Sequence, residues 1–399
     1  MNILIICRAL PYPPDFGITI RLFNLIKHLS AKHSISLVCY AGPDNQENNI
    51  RGMKKYCECI HLVHRKRRSK VRQLPEVTKN LFTGVPWNVK YMKSREMQDA
   101  ISEITTNEKF DILHVDDIYM ASNALLASSG SARKVVTFHD IDSILYRRLL
   151  RIVKKPYEGL RFALNWLPLQ RWESRVVEGF DLNIVVSSID RGLLESKNPK
   201  AKIAVIPNGV DTDSLSPLPL SDGQDNILFV GNMGYPPNPD AAIYFTRQIF
   251  PLIRERLPKA KFLVVGRYPG QELRKLSRDP NVIITGYVES VIPYYQKSSV
   301  VIVPLRAGGG TRGKILEAMA LGRPVVSTSL GAEGLEVTHK ENIMIADRPE
   351  DFATITVELM KNGSFKSALI ESARKFVESQ HSWRESAEKL DQAYKEICN

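Results

Sequence analysis

The chain has 399 residues, 43% hydrophobic and 25% charged, which excludes a disordered or fibrous protein. At roughly 100–200 residues per domain the length fits two domains, or three, and no apolar run approaches the roughly 18 residues that span a bilayer. The net charge of +12 is one-sided: residues 1–202 hold 32 basic and 20 acidic side chains, residues 203–399 hold 23 of each.

The first ten residues are apolar but short and run into Pro11-Tyr12-Pro13-Pro14 without a cleavage site, so they read as a first strand and not a signal peptide. That strand is Ile3-Leu4-Ile5-Ile6-Cys7; its loop carries Gly17, and a helical pattern runs from Ile20 to Leu29. Further strands are expected at Ile35 to Cys39, Ile112 to Val115, Lys134 to Phe138 and Leu182 to Val186. Continuous apolar runs separated by helix-length segments indicate buried parallel strands in βαβ units. The five cysteines, Cys57 and Cys59 among them, show no zinc-type spacing; reduced thiols and a cytoplasmic location are expected.

Two basic clusters lie in this half, His64 to Arg72 and Arg147 to Lys155. The second continues into Tyr157, Phe162, Trp166, Leu167 and Trp172, a mixture suited to anionic headgroups along residues 146–172. The same composition suits nucleic acid, but no nucleic-acid motif accompanies it. The first cluster reads equally well as a solvated loop.

The pattern restarts at Ile203-Ala204-Val205-Ile206, followed by Pro207-Asn208-Gly209-Val210-Asp211 and a linker-like stretch over residues 214–225. New strands are expected at Ile227 to Val230, Lys261 to Val265, Val282 to Ile284, Val300 to Val303 and Pro324 to Val326, with a helix from Pro239 to Leu257. The expectation is an α/β chain of two doubly wound, Rossmann-like domains, 1–205 and 206–382, facing across a cleft. A helix over 383–399 either packs back on the first domain or ends the core of the second. Ligands in such sheets bind beyond the carboxyl ends of the strands.

The most informative segment is Pro304-Leu305-Arg306-Ala307-Gly308-Gly309-Gly310-Thr311-Arg312-Gly313-Lys314-Ile315-Leu316-Glu317. It follows a buried strand and opens a helix. Consecutive glycines let a backbone approach a ligand, and a helix N-terminus with Arg312 and Lys314 beside it suits a diphosphate. Glu317, one turn further in, is placed to accept from vicinal ribose hydroxyls. The segment is neither a Walker loop nor the dinucleotide fingerprint; a tight turn with both cations in solvent is the bland alternative.

This segment, with Arg323-Pro324-Val325-Val326-Ser327-Thr328, Gly331-Ala332-Glu333-Gly334, Pro207-Asn208-Gly209-Val210-Asp211 and the opening Pro-Tyr-Pro-Pro-Asp-Phe-Gly-Ile, resembles glycosyltransferase family 4, the group 1 glycosyltransferases of GT-B fold. The resemblance implies a second domain that binds a nucleotide-sugar donor and a first that binds the acceptor. It implies Glu317 as the ribose ligand and puts Gly309 where the family's first motif glutamate usually touches the hexose. Gly310 and Thr311 match positions that approach sugar and diphosphate. Asn232 stands where most members carry an arginine, and the lysine position falls near Asn238, so Arg312 and Lys314 are the expected substitutes. Gly17 matches the glycine lying against the diphosphate, and Gly286, Tyr287 and Val288 match the loop that reads the base.

His139, beside Asp140, matches the active-site histidine. Asp116 and Asp117 end another strand and either contact the acceptor or cap a helix. The implied reaction moves a hexose-type sugar to an acceptor hydroxyl with retention and without a metal or other cofactor. The acceptor is a cell-surface polysaccharide, lipid-linked or related glycan precursor, and the enzyme is cytoplasmic or peripheral on the inner membrane face. The alternatives are a GT-B nucleotide-sugar epimerase, or a basic non-enzymatic protein that binds nucleic acid or membrane. The epimerase would need cleft carboxylates, and Gly309 stands where one might be sought.

Overall fold

The structure is a computed structural model that describes residues 1–42, 46–65, 85–127, 130–153, 155–219 and 225–399. Most of the first basic cluster, Lys154 and residues 220–224 of the linker-like stretch lie outside the described residues. The chain divides into two compact units, Met1–Asn208 with Trp383–Asn399, and Gly209–Ser382.

Among the described residues, the first unit carries seven parallel strands in the order β3-β2-β1-β4-β5-β6-β7. They are β1 Asn2–Cys7, β2 Ser34–Tyr40, β3 Cys59–Val63, β4 Ile112–Val115, β5 Arg133–Phe138, β6 Leu182–Val185 and β7 Ile203–Val205. The apolar runs exist because both faces are covered. Leu4 and Ile6 enter one core with Met97, Leu169 and Val176. Ile3 and Ile5 enter the other, with Leu22, Leu25 and Ile26 of helix Gly17–Leu29 and Leu390 and Tyr394 of helix Trp383–Cys398. The C-terminal helix thus belongs to the first unit. Gly17 is the first residue of its helix and not part of the loop before it.

The second unit has the order β10-β9-β8-β11-β12-β13. Its strands are β8 Asn226–Val230, β9 Lys261–Val265, β10 Val282–Gly286, β11 Val300–Val303, β12 Val325–Ser327 and β13 Met344–Ile345. The single helix expected from Pro239 to Leu257 is instead Pro237–Tyr244, a π turn at Phe245–Ile249, and Phe250–Arg256. Pro251 explains the interruption: it has no N–H and its ring collides with the carbonyl one turn back. Among the described residues, no helix is long and apolar enough to cross a membrane.

Candidate functional site

Both sheets reverse strand order at one point, between β1 and β4 and between β8 and β11. Loops leaving the carboxyl ends of such neighbouring strands diverge and leave room for a ligand. Most of the expected site residues follow strands at or next to that point; Gly286, Tyr287 and Val288 follow the edge strand β10 instead.

In the second unit the glycine turn leaves β11 and helix Gly313–Ala320 follows it. Gly310 has a φ of 62°, a left-handed conformation that L side chains rarely adopt. Arg312 is not in solvent. It is 8% exposed, and its Nη1 donates to the carbonyls of Gly309 and Gly310, so the guanidinium holds the turn in shape. Its Nη2 is buried with no acceptor among the described residues. Thr311 is half-buried beside it.

Lys314 and Glu317 lie on the same helix. Lys314 Nζ donates to Asn238 Oδ1 at 2.8 Å and lies 4.3 Å from the centre of the Phe229 ring. Asn238 Nδ2 in turn donates to the Asn232 carbonyl at 2.8 Å. The Asn232 side chain accepts from Gly234 N, closing a turn. Glu317 Oε2 accepts from the Tyr295 hydroxyl at 2.9 Å. Burial raises the Glu317 pKa, against the pull of that hydroxyl and of Lys314. Burial, then the Arg312 guanidinium, brings Lys314 down to about 7. Space here is tight enough to require glycine: a Cβ on Gly266 would come within 1.8 Å of the Gly231 carbonyl.

Gly286 ends β10, Tyr287 is 65% exposed and Val288 half-buried. The Arg267 guanidinium stands 4.9 Å above the Tyr287 ring, an arrangement the sequence did not indicate. Tyr295 as partner of Glu317 was also missed; a tyrosine in a short amphipathic helix carries no signal of its role.

In the first unit β1, β4 and β5 deliver Arg8, Asp116 with Asp117, and His139. His139 Nε2 donates to the Asp116 carbonyl at 2.6 Å and lies 3.4 Å from Asp116 Oδ2. A carbonyl only accepts, so Nε2 carries the proton and Nδ1 is the nitrogen left to titrate. Burial alone would lower the His139 pKa; the Asp116 carboxylate outweighs it and holds the imidazole above its usual value. Asp116 Oδ1 is buried and accepts no hydrogen bond among the described residues.

Asp117 pairs with Arg8 and accepts from Tyr119 N at 2.8 Å. Neither aspartate caps a helix: the next one, Ala121–Leu126, has Met120 at its cap without a side-chain bond. Asp140 is half-buried beyond the end of β5. His114 is a structural histidine, held at 2.8 Å by Thr137 and by the Tyr394 hydroxyl.

The aromatic-basic segment divides by face. Trp172 is core and donates from Nε1 to the Ile118 carbonyl at 2.9 Å. The Tyr146 and Phe162 rings meet edge-on at 5.3 Å, also inward, and Trp166 is half-buried. Tyr157, Leu160 and Leu167 face outward from helix Pro156–Gly179. The expectation that residues 146–172 form a surface as a whole is therefore corrected, because helical periodicity sends its largest rings into the core.

Two parallel sheets, each reversing strand order once, make this a doubly wound α/β protein. The family description "Glycosyltransferase Family 4" matches residues 17–214, and "Glycosyl transferases group 1" matches 224–362. A Klebsiella pneumoniae relative, an uncharacterized 44.6 kDa protein in the cps region, is 22% identical over 95% of this chain and 96% of its own length. A Mycobacterium tuberculosis relative, a GDP-mannose-dependent alpha-(1-6)-phosphatidylinositol monomannoside mannosyltransferase, is 28% identical over 65% of this chain and 77% of its own. Among solved structures, sucrose-phosphate synthase from Thermosynechococcus elongatus superposes with a TM-score of 0.71 at 16% identity, covering 100% of this chain and 99% of that one. Anabaena HepE in complex with UDP and glucose gives 0.65 at 15% identity, covering 99% and 100%. The chain belongs to the family 4, group 1 glycosyltransferases, has the GT-B fold, and is an enzyme that transfers sugar from a nucleotide-sugar.

Proposed function

We propose that this chain is a retaining hexosyltransferase that works without a metal. The second unit binds the donor and the first binds the acceptor, a polysaccharide or lipid-linked glycan precursor. The observation that carries the donor reading is the glycine turn shaped by Arg312, with Lys314 and Glu317 three positions apart on the helix it opens. Cleaving a glycosyl–phosphate bond leaves negative charge on the departing diphosphate. Fixed backbone amides, a helix N-terminus and a cation stabilise that charge before any solvent has to reorganise. Glu317 Oε1 is the acceptor for ribose hydroxyls, since Oε2 is engaged by Tyr295. Tyr287 and Val288 flank the base.

In the first unit the Asp116–His139 pair receives the acceptor hydroxyl. His139 Nδ1 takes part in proton transfer while Nε2 stays fixed on the Asp116 carbonyl. Asp117 and Asp140 lie beside them and contact acceptor hydroxyls. The cps-region relative and the phosphatidylinositol mannoside enzyme support a glycan or lipid-linked acceptor. Its presentation at an anionic membrane through helix Pro156–Gly179 completes the reading.

The test is a thermal-shift panel of UDP, GDP and ADP with their sugars, because a ligand that binds only the folded state raises stability by mass action. HepE holds UDP and the mycobacterial relative uses GDP-mannose, so both bases belong in the panel. At least one nucleotide should raise Tm, and Glu317→Ala should weaken its binding about tenfold or more, the loss of a charge-assisted hydrogen bond. A flat panel with wild-type protein would sink the reading.

A further inference from the structure

The donor reading requires a positive charge at the diphosphate, and the site offers few candidates. Beyond β8 the side chains turned to Lys314 are neutral, Asn232 in the loop and Asn238 in the first turn of helix Pro237–Tyr244. Arg306 is paired with Asp240 at 2.6 Å. Arg312 gives Nη1 to its own turn, and its Nη2 is buried without reaching the end of β8 in any bond among the described residues. Lys314 remains. From the second position of helix Gly313–Ala320 its side chain crosses to the end of β8, and a Cβ on Gly231 would stand 2.8 Å from Nζ. An ammonium has three N–H groups. The structure gives Lys314 one bond, to a neutral amide oxygen, and no carboxylate pairs with it among the described residues.

We infer that Lys314 is the diphosphate cation of this site and that it gains its proton when the ligand arrives, so that binding a nucleoside diphosphate takes up a proton. The inference rests on the donor reading above. Burial and Arg312 bring Lys314 down to about 7. The other groups facing it are Glu317, which favours its charged form while bound to Tyr295, and the neutral Asn232, Asn238 and Phe229; Asp240 on helix Pro237–Tyr244 is held by Arg306. A diphosphate at the Lys314 N–H groups adds negative charge and shifts the equilibrium to the ammonium. The balance is one proton from solvent to the Lys314 amine per ligand bound, returned on release. An enzyme built this way loses its grip on the nucleotide as pH rises, without any change in the ligand itself.

The experiment is isothermal titration calorimetry of the full chain with UDP and with GDP near pH 8, where both diphosphates are fully ionised. It is run in two buffers of different ionisation enthalpy. The wild type should take up about 0.9 proton per ligand, and its Kd should rise roughly eightfold between about pH 7.5 and 8.5, as linkage to a group near 7 requires. Lys314→Met should bind at least tenfold more weakly near pH 7 and take up no proton. Lys314→Arg, charged throughout, should bind without proton uptake and with a Kd flat in pH. Wild-type binding with no proton uptake, or Lys314→Met binding as tightly as wild type, overturns the inference and leaves the donor reading standing. A wild type that binds neither nucleotide overturns both.

Discussion

His139 shows how a single residue is tuned. Burial opposes its charged form and the Asp116 carboxylate, 3.4 Å away, favours it; the carboxylate prevails and the pKa is raised. A group whose pKa is raised by folding contributes stability that is complete below its unfolded value, 6.5 here, and disappears as pH rises through the folded value. Asp116→Asn removes the charge and keeps the carbonyl bond at Nε2. The His139 pKa should then fall below 6.5, because burial, the largest influence, and the Arg21 guanidinium are opposed only by the weaker pull of Asp117. A histidine-resolved NMR titration measures it. The stability gap between wild type and variant should be wider at about pH 6 than at about pH 8.5; a His139 that still titrates above 6.5 in the variant contradicts this account.

At the scale of elements, buried polar bonds fix how helices meet. Glu173 on helix Pro156–Gly179 is fully buried; it accepts from Ser143 N at 2.8 Å and Ser143 Oγ at 2.6 Å in the first turn of helix Asp142–Ile152. Lys197, at the end of helix Ser188–Lys197, donates to it at 2.6 Å. One carboxylate thus satisfies a helix N-terminal amide and pairs with a partly buried ammonium. Glu173→Ala leaves the amide and the hydroxyl without their acceptor and the ammonium with Ser143 Oγ, at 3.3 Å, as its acceptor among the described residues. It should cost about 3 kcal/mol, in the range for breaking a buried pair. Chemical denaturation measures this, and a loss below about 1 kcal/mol would show that water replaces the carboxylate.

The strands were legible for a plain reason: in a parallel sheet covered on both faces, Ile3 to Ile6 and Val300 to Val303 have no polar face to show. Two escaped notice. β3 is half-buried at its edge and includes His61, and β13 has two residues. The glycine turn was legible in the same local way. The reach of Lys314 to Asn238 was not, because those residues are 76 positions apart and meet only when the sheet places β8 beside β11. Nor could a one-dimensional pattern say that Arg312 turns inward while Tyr157 turns out.

At the scale of the whole molecule the dominant fact is the charge, an excess of twelve positive side chains in residues 1–202 and none in the rest. Charge alone attracts any polyanion, and salt screens it. The apolar stripe narrows the choice. Tyr157, Leu160 and Leu167, 64%, 61% and 46% exposed, stand at helical spacing on one outward face. Arg161 and Arg171 are exposed on the same helix, with Arg147, Arg151 and Lys155 just before it. A nucleic acid has no use for an aliphatic stripe, whereas an anionic bilayer takes both: basic heads meet the headgroups and leucines enter the acyl boundary. The chain should therefore float with phosphatidylglycerol vesicles and not with phosphatidylcholine vesicles, and high salt should weaken flotation without abolishing it. Leu160→Asp with Leu167→Asp leaves the net positive charge large and removes the insertion. At about 1.5 kcal/mol or more for each buried leucine, the partition coefficient should fall at least roughly tenfold. Donor binding, proposed for the other unit, should stay at the wild-type value. If the double variant floats as well as wild type, binding is electrostatic alone and the stripe has another role; if wild type ignores both kinds of vesicle, the acceptor is presented without a membrane.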